Sequence, residues 1–162
     1  MAFILLFKNE LAAGLAEVDR ALQLNPNSLI ILENIGYVAT LLGEWQRGPR
    51  LIRKAIKQNP YYNAIVHYAL WVDWVRQKDY SRAFTETLRF RTPTLFWDPL
   101  MKAANLGLLG RIEEGVEAGK DLLKCKPDFP TRGRVLIKHY IKFDEIVERV
   151  IRGLESVGIN VL

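Results

Sequence analysis

Four residues of this chain have types and spacing suited to recognition chemistry. His67, Trp71, Trp74 and Lys78 fall at i, i+4, i+7 and i+11, which is one face of a helix. Tryptophan anchors interfaces more often than most residues, so the functional reading is a groove for a peptide or a partner's helix. Glu33 and Tyr37 on one side and Trp97 and Met101 on the other would complete the lining. The plainer reading stands beside it: an aromatic stripe at helical spacing also fills a core. Tyr68, Val72 and Val75 form the opposite, aliphatic-leaning stripe.

Residues for catalysis are sparse. His67 and His139 stand 72 positions apart with no Asp or Cys at ligand spacing. There is no P-loop, no G-x-G-x-x-G and no G-x-S-x-G, so the usual nucleotide and acyl-transfer signatures are missing. Glu113–Glu114 and Asp144–Glu145 each open a helical stretch, where carboxylates favour the positive end of the helix dipole. Cys125 stands alone between Lys124 and Lys126, a helix-end cysteine that can form neither an internal disulfide nor a thiolate zinc site. The chain is expected to be no enzyme and to need no metal or cofactor.

A basic stripe is the second candidate surface. Arg47, Arg50, Lys54 and Lys57 share a helical face with Arg53 beside it, and the chain carries a net charge of +5. Such a face binds phosphates or acidic protein, or is simply a solvated outer surface. Acidic residues elsewhere, among them Glu17, Asp19, Glu117 and Asp121, dilute the charge, so nucleic acid is not the expected partner.

The elements that position these residues repeat. Pro26, Pro60, Pro93 and Pro127 recur at intervals of 34, 33 and 34 residues. Gly14, Gly48 and Gly115 each stand twelve before one of them, and Gly36, Ala69 and Ala103 stand twenty-four before the last three. In the third unit the small residue is Ala83, ten before Pro93, which predicts a second helix shorter by about two residues. Each unit therefore reads as two antiparallel helices whose backbones cross closely at the small residues, closed by a proline that cannot continue the helix. The predicted helices are 11–24, 29–42, 45–58, 62–77, 80–91, 97–109, 112–125, 131–141 and 144–157.

A helix–turn–helix of this period, with these small residues and a closing proline, resembles the tetratricopeptide repeat. The resemblance covers residues 1 to about 127 and, more loosely, the last two helices. It implies an all-α, right-handed superhelical solenoid in which first helices line the concave side. The units are a partial one over 1–26, then 27–60, 61–93 and 94–127, with a capping pair over 128–162. The stretches "LLGEWQRGPRLIRKAIKQNPYY", "LFWDPLMKAANLGLLGRIEEGVEAG" and "KPDFP" further resemble the C-terminal repeat region of bacterial class III adenylate/guanylate cyclases and related winged-helix regulators. The catalytic or DNA-binding domain of those proteins has no room here, so no cyclase activity is implied. The lysine, asparagine and arginine set with which chaperone-binding repeats hold a carboxylate is also missing.

The ends carry two further expectations. "MAFILLF" reads as the latter half of a first helix, so the chain begins inside a repeat. Its apolar stretch is short and no basic residue precedes it, which argues against a cleaved signal. With the covering half-unit missing, Phe3, Ile4, Leu5 and Phe7 are expected to join two copies in a homodimer. At the other end Ile146, Val147, Val150, Ile151 and Leu154 should face inward, with Glu148, Arg149, Arg152 and Glu155 toward water. Composition is that of a globular protein, 49% apolar and 25% charged, and the lone cysteine suits a reducing cytoplasm. The expected function is a protein-interaction module or scaffold for a protein or peptide partner. A regulatory fragment of a signalling system and an electrostatic nucleic-acid binder are the alternatives.

Overall fold

The structure, a computed structural model, describes residues 1–92 and 95–162. The third closing proline, Pro93, lies outside the described residues. The described residues form ten helices and no strand: α1 (Ala2–Phe7), α2 (Leu11–Leu24), α3 (Leu29–Leu41), α4 (Arg47–Gln58), α5 (Val66–Arg76), α6 (Tyr80–Arg89), α7 (Trp97–Leu108), α8 (Ile112–Cys125), α9 (Phe129–Tyr140) and α10 (Asp144–Glu155). All are α-helices joined by short turns.

Two kinds of helix end alternate along the stack. First helices α1, α3, α5 and α7 end in a left-handed residue, at Asn9, Gly43, Lys78 and Gly110. The amide after it reaches back five residues, as in Glu44 N to Ala39 O at 2.9 Å and Asp79 N to Trp74 O at 3.0 Å. This closure satisfies carbonyls that the helix end would leave bare and reverses the chain tightly. Second helices α2, α4, α6 and α8 end instead on a residue off the helical conformation (Asn25, Asn59, Phe90, Lys126). Proline after Asn25 and Asn59 then prevents continuation. The sequence repeat is thus a repeat of helix-termination chemistry.

Small residues act where two backbones meet. Gly36 of α3 faces Gly48 and Ile52 of α4, and a methyl group at Gly48 would overlap Thr40. Ala69, Ala83 and Ala103 are fully buried at the corresponding positions. As the repeat count predicts, α6 is short, at 10 residues against 12 in α4 and 14 in α8.

Beyond α8 the chain stops adding units and folds back. α10 packs against α7 and α5, starting where Phe143 meets Gly43 and Trp45 at the end of α3. Gly153 lies against Ala104 and Gly107 of α7 so closely that neither glycine has space for a methyl group. Its inward residues Ile146, Val147, Val150, Ile151 and Leu154 are buried. Residues 157–162 then return along α8, with Val157 over Gly115, Ile159 over Gly119 and Leu162 N–H donating to Pro130 O at 2.9 Å. α9 touches α1, where Phe7 meets His139 and Tyr140.

Candidate functional site

The residues expected to line one groove go to three places. His67, Trp71 and Met101 lie in the packing between units, at 1%, 0% and 0% exposure. This corrects their placement as groove walls. Trp71 Nε1 donates to Asn105 Oδ1 at 3.1 Å, and Asn105 Nδ2 donates to Tyr80 O at 2.9 Å. Glu33 is buried too, where its carboxylate accepts from the Asn63 amide at 3.1 Å and fixes the turn into α5. Successive first helices stack with that face against the next unit, which is why the stripe is core. Lys78 lies past the end of α5 in the left-handed turn, off the stripe altogether.

His67 has partners that its sequence surroundings do not advertise. Its Nδ1 lies 2.6 Å from Glu86 Oε2 and its Nε2 lies 3.0 Å from Tyr62 Oη. With the ring proton on Nδ1 toward the carboxylate, Nε2 accepts from the phenol. The order carboxylate, imidazole, hydroxyl is that of an acid–base relay. Both ring nitrogens of this buried imidazole are thereby engaged. The arrangement ties α5 to α6.

Tyr37 and Trp97 lie buried together with Tyr68, at 4%, 9% and 2% exposure. Tyr68 and Trp97 lie edge to face at 5.0 Å, and Tyr140 of α9 stands edge to face with both, at 6.0 and 5.0 Å. These rings, with Tyr37, Phe90, Ile65 and Leu95, line a partly open cavity of about 100 Å³. Burial pushes the Tyr37 and Tyr68 phenols well above the ordinary tyrosine range, and neighbouring phenols add to the effect. Both therefore keep their protons as donors at neutral pH.

The N-terminal helix is covered from within. Phe3 stacks on Tyr37 at 5.6 Å, and Phe7 stacks on His139 at 4.6 Å while meeting Tyr140 edge-on. Phe3 and Phe7 are thus spent on intramolecular packing, which corrects their expected role as a bare end. Leu5 is half-buried and Ile4 is 54% exposed.

Arg149, expected in water, is buried. Its Nη1 donates to Val75 O and Arg76 O at 3.0 and 2.9 Å, and its Nη2 donates to Glu145 Oε1 at 2.6 Å. One guanidinium therefore closes the carbonyl end of α5 and pins α10 there.

Trp74 points the other way, between second helices. Arg53 of α4 lies over its ring at 5.3 Å and Arg82 of α6 at 4.9 Å. Around it α4 carries Arg50, Lys54 and Lys57 and no acidic residue. Of the α4 cations only Arg47 is ion-paired among the described residues, to Asp19 and Glu44. Of the two stacked guanidiniums, Arg82 already pairs through Nε with Asp79 at 3.4 Å, whereas Arg53 has no ion-pair partner among the described residues and keeps its N–H edge for a carboxylate.

Comparison with known proteins fits this architecture. The solved structure of MamA MSR-1 C2, a TPR-like all-helical protein, superposes with a TM-score of 0.63 at 16% identity, over 96% of this chain and 90% of that one. The fold is that of an all-α, tetratricopeptide-like solenoid. No protein-family model matches the chain, and no curated protein matches it, so the resemblance to cyclase tails and winged-helix regulators gains no support. No helix among the described residues is long and apolar enough to cross a membrane.

Proposed function

We propose that the chain is a non-enzymatic protein-interaction scaffold that binds an acidic segment of a partner on the outer face built around Trp74. The observation that carries this reading is the Arg53–Trp74–Arg82 stack beside a helix with free cations and no acidic residue. The face lined by first helices is a poorer candidate, because α9 and α10 already pack against α1, α5 and α7. A half-buried aromatic flanked by guanidiniums offers an acidic peptide both an apolar anchor and charge-assisted hydrogen bonds. Nucleic acid is disfavoured by the carboxylates that break the basic surface at Asp19, Glu44 and Asp79.

The test is fluorescence anisotropy of a labelled glutamate-rich peptide beside a short DNA duplex. The reading expects the peptide to bind at physiological salt, and Arg53→Glu/Arg82→Glu to abolish that binding. Duplex binding in place of peptide binding would make the chain an electrostatic nucleic-acid binder.

Self-association through α1 is a narrower second proposal. Its most exposed residues are Met1 (75% exposed) and Ile4 (54%), flanked by the half-buried Phe3, Leu5 and Phe7.

A further inference from the structure

The two helices of a unit run antiparallel, so the connections from each second helix to the next first helix lie along one edge of the stack. Contacts join these connections. Glu33, one turn after Ile30 in α3, accepts from the Asn63 amide at 3.1 Å, which sets the α4–α5 connection beside the start of α3. Pro60 and Tyr62 of that connection share a surface depression with Leu88, Arg89 and Arg91 at the end of α6.

Apolar side chains on this edge face water. Leu24 and Ile30 are each 70% exposed, Tyr61 is 91% exposed and Leu88 is 55% exposed. The Tyr61 amide donates to Asn59 Oδ1 at 3.0 Å, so the exposed ring stands on a tied turn. The charge of the edge is one-sided. Segments 20–32, 45–72 and 87–97 contain no Asp or Glu, and Lys57, Arg89 and Arg91 stand at the connections themselves. The bordering carboxylates, Glu33 and Glu86, are buried against the Asn63 amide and His67. The other edge, where first helices turn into second ones, mixes its cations with Glu10, Glu44, Asp79, Glu113 and Glu114.

We propose that the edge formed by the α2–α3, α4–α5 and α6–α7 connections docks on an anionic lipid bilayer. Leu24, Ile30, Tyr61 and Leu88 enter the headgroup boundary, and the cations beside them meet the lipid anions. A bilayer surface rewards both features at once: apolar area buried at the interface and basic residues near negative headgroups. Tyrosine suits that depth, with its ring in the apolar layer and its hydroxyl in the polar one. Nucleic acid would satisfy the cations and leave Leu24 and Ile30 in water. A second copy would set like charges against each other. No helix among the described residues is long and apolar enough to span the bilayer, so the docking is peripheral. The edge is distinct from the Arg53–Trp74–Arg82 stack, and the proposal does not depend on that face.

Vesicles of equal parts phosphatidylcholine and phosphatidylserine are the probe, and pure phosphatidylcholine vesicles are the uncharged counterpart. The whole protein is expected to co-sediment with the first at physiological salt and not with the second. A cation at such a surface contributes roughly fivefold in affinity, so Arg89→Gln/Arg91→Gln is expected to weaken binding about 25-fold. Leu24→Ser/Tyr61→Ser keeps every cation and is expected to weaken binding about tenfold. All four positions are exposed, so both variants are expected to keep the native melting temperature. The glutamate-rich peptide should bind Leu24→Ser/Tyr61→Ser as it binds the native protein, which separates this edge from the Trp74 face. No co-sedimentation with the anionic vesicles, or equal co-sedimentation with the uncharged ones, would overturn the proposal. So would unchanged vesicle binding in Leu24→Ser/Tyr61→Ser. Binding of a short DNA duplex without vesicle binding would make the edge a nucleic-acid surface and overturn it as well.

Discussion

The indole N–H of Trp71 donates to the side-chain oxygen of Asn105, exactly one repeat of 34 residues further on. The hydrogen bond joins equivalent layers of consecutive units, so it acts as a register pin for the stack. Asn105→Ala would strand the buried Trp71 indole N–H, while the Tyr80 carbonyl loses one of its donors but stays within the α6 hydrogen-bond ladder. The expected cost is about 2 kcal/mol, read as a lower denaturation midpoint with unchanged slope. A loss below about 0.5 kcal/mol would mean that the pin contributes little.

A turn offers the opposite effect. Lys78 holds a left-handed conformation, at φ 63°, where α3 and α7 use Gly43 and Gly110. A side chain there costs about 1 kcal/mol, so Lys78→Gly is expected to stabilise the protein by about that much in thermal or chemical unfolding. Destabilisation would show that the lysine side chain contributes more than its backbone costs.

Arg149 is the latch of the C-terminal helix. Arg149→Met keeps the aliphatic stem but removes the side-chain donor to the Arg76 carbonyl and one of the donors to the Val75 carbonyl, which keeps the Lys78 amide, for an expected loss of about 2 kcal/mol. Hydrogen exchange should localise the effect, with amides of α10 and of the end of α5 losing protection before those of α3 and α4. Uniform loss across all helices would contradict a latch.

Alkaline pH should unfold the protein through its buried phenols. The folded pKa values of Tyr37 and Tyr68 lie above the ordinary 10.0. The unfolded chain therefore releases those protons first, and stability from these groups is complete below about pH 10 and lost as pH rises beyond it. Each phenol contributes a slope on the order of 1 kcal/mol per pH unit. In Tyr37→Phe/Tyr68→Phe the alkaline slope should flatten, while Tyr68→Phe alone should cost almost nothing at neutral pH because its hydroxyl has no partner among the described residues. A parallel alkaline decline in the double variant would exclude these tyrosines as its cause.

For self-association the informative pair is Ile4→Glu and Phe7→Ala. Ile4 is exposed, whereas Phe7 holds α1 against α9. An assembly built on the α1 edge should lose mass in light scattering with Ile4→Glu, without loss of melting temperature. Phe7→Ala should instead lower the melting temperature. A single-chain mass for the native protein would remove the proposal.

Much of the repeat was legible because it is written in residues with strong local physics. Proline ends α2, α4 and α8, Gly43 and Gly110 supply positive φ, and Gly36 and Gly48 let backbones cross. The pattern failed where position around a helix decides function. Trp71 and Tyr68 differ by three residues and lie near one another on α5, yet one faces the next unit and the other the inner cavity. A tryptophan and an asparagine one period apart were a usable signal of core pairing. Arg149 was misplaced because its partners are carbonyls 73 and 74 residues away, and helical periodicity carries no information about such contacts. Glu86 and Tyr62 were missed for the same reason: only the packing of α6 on α5 and the turn before α5 bring them to His67.

The most direct test of the interaction surface is capture from the source organism's lysate on immobilised protein, with Arg53→Glu/Arg82→Glu and Trp71→Phe in parallel. The account predicts a partner held by the native protein, released by raised salt, retained by the core variant Trp71→Phe and lost by the double charge reversal. A partner held equally by the charge-reversed protein would place the binding surface elsewhere and contradict the account.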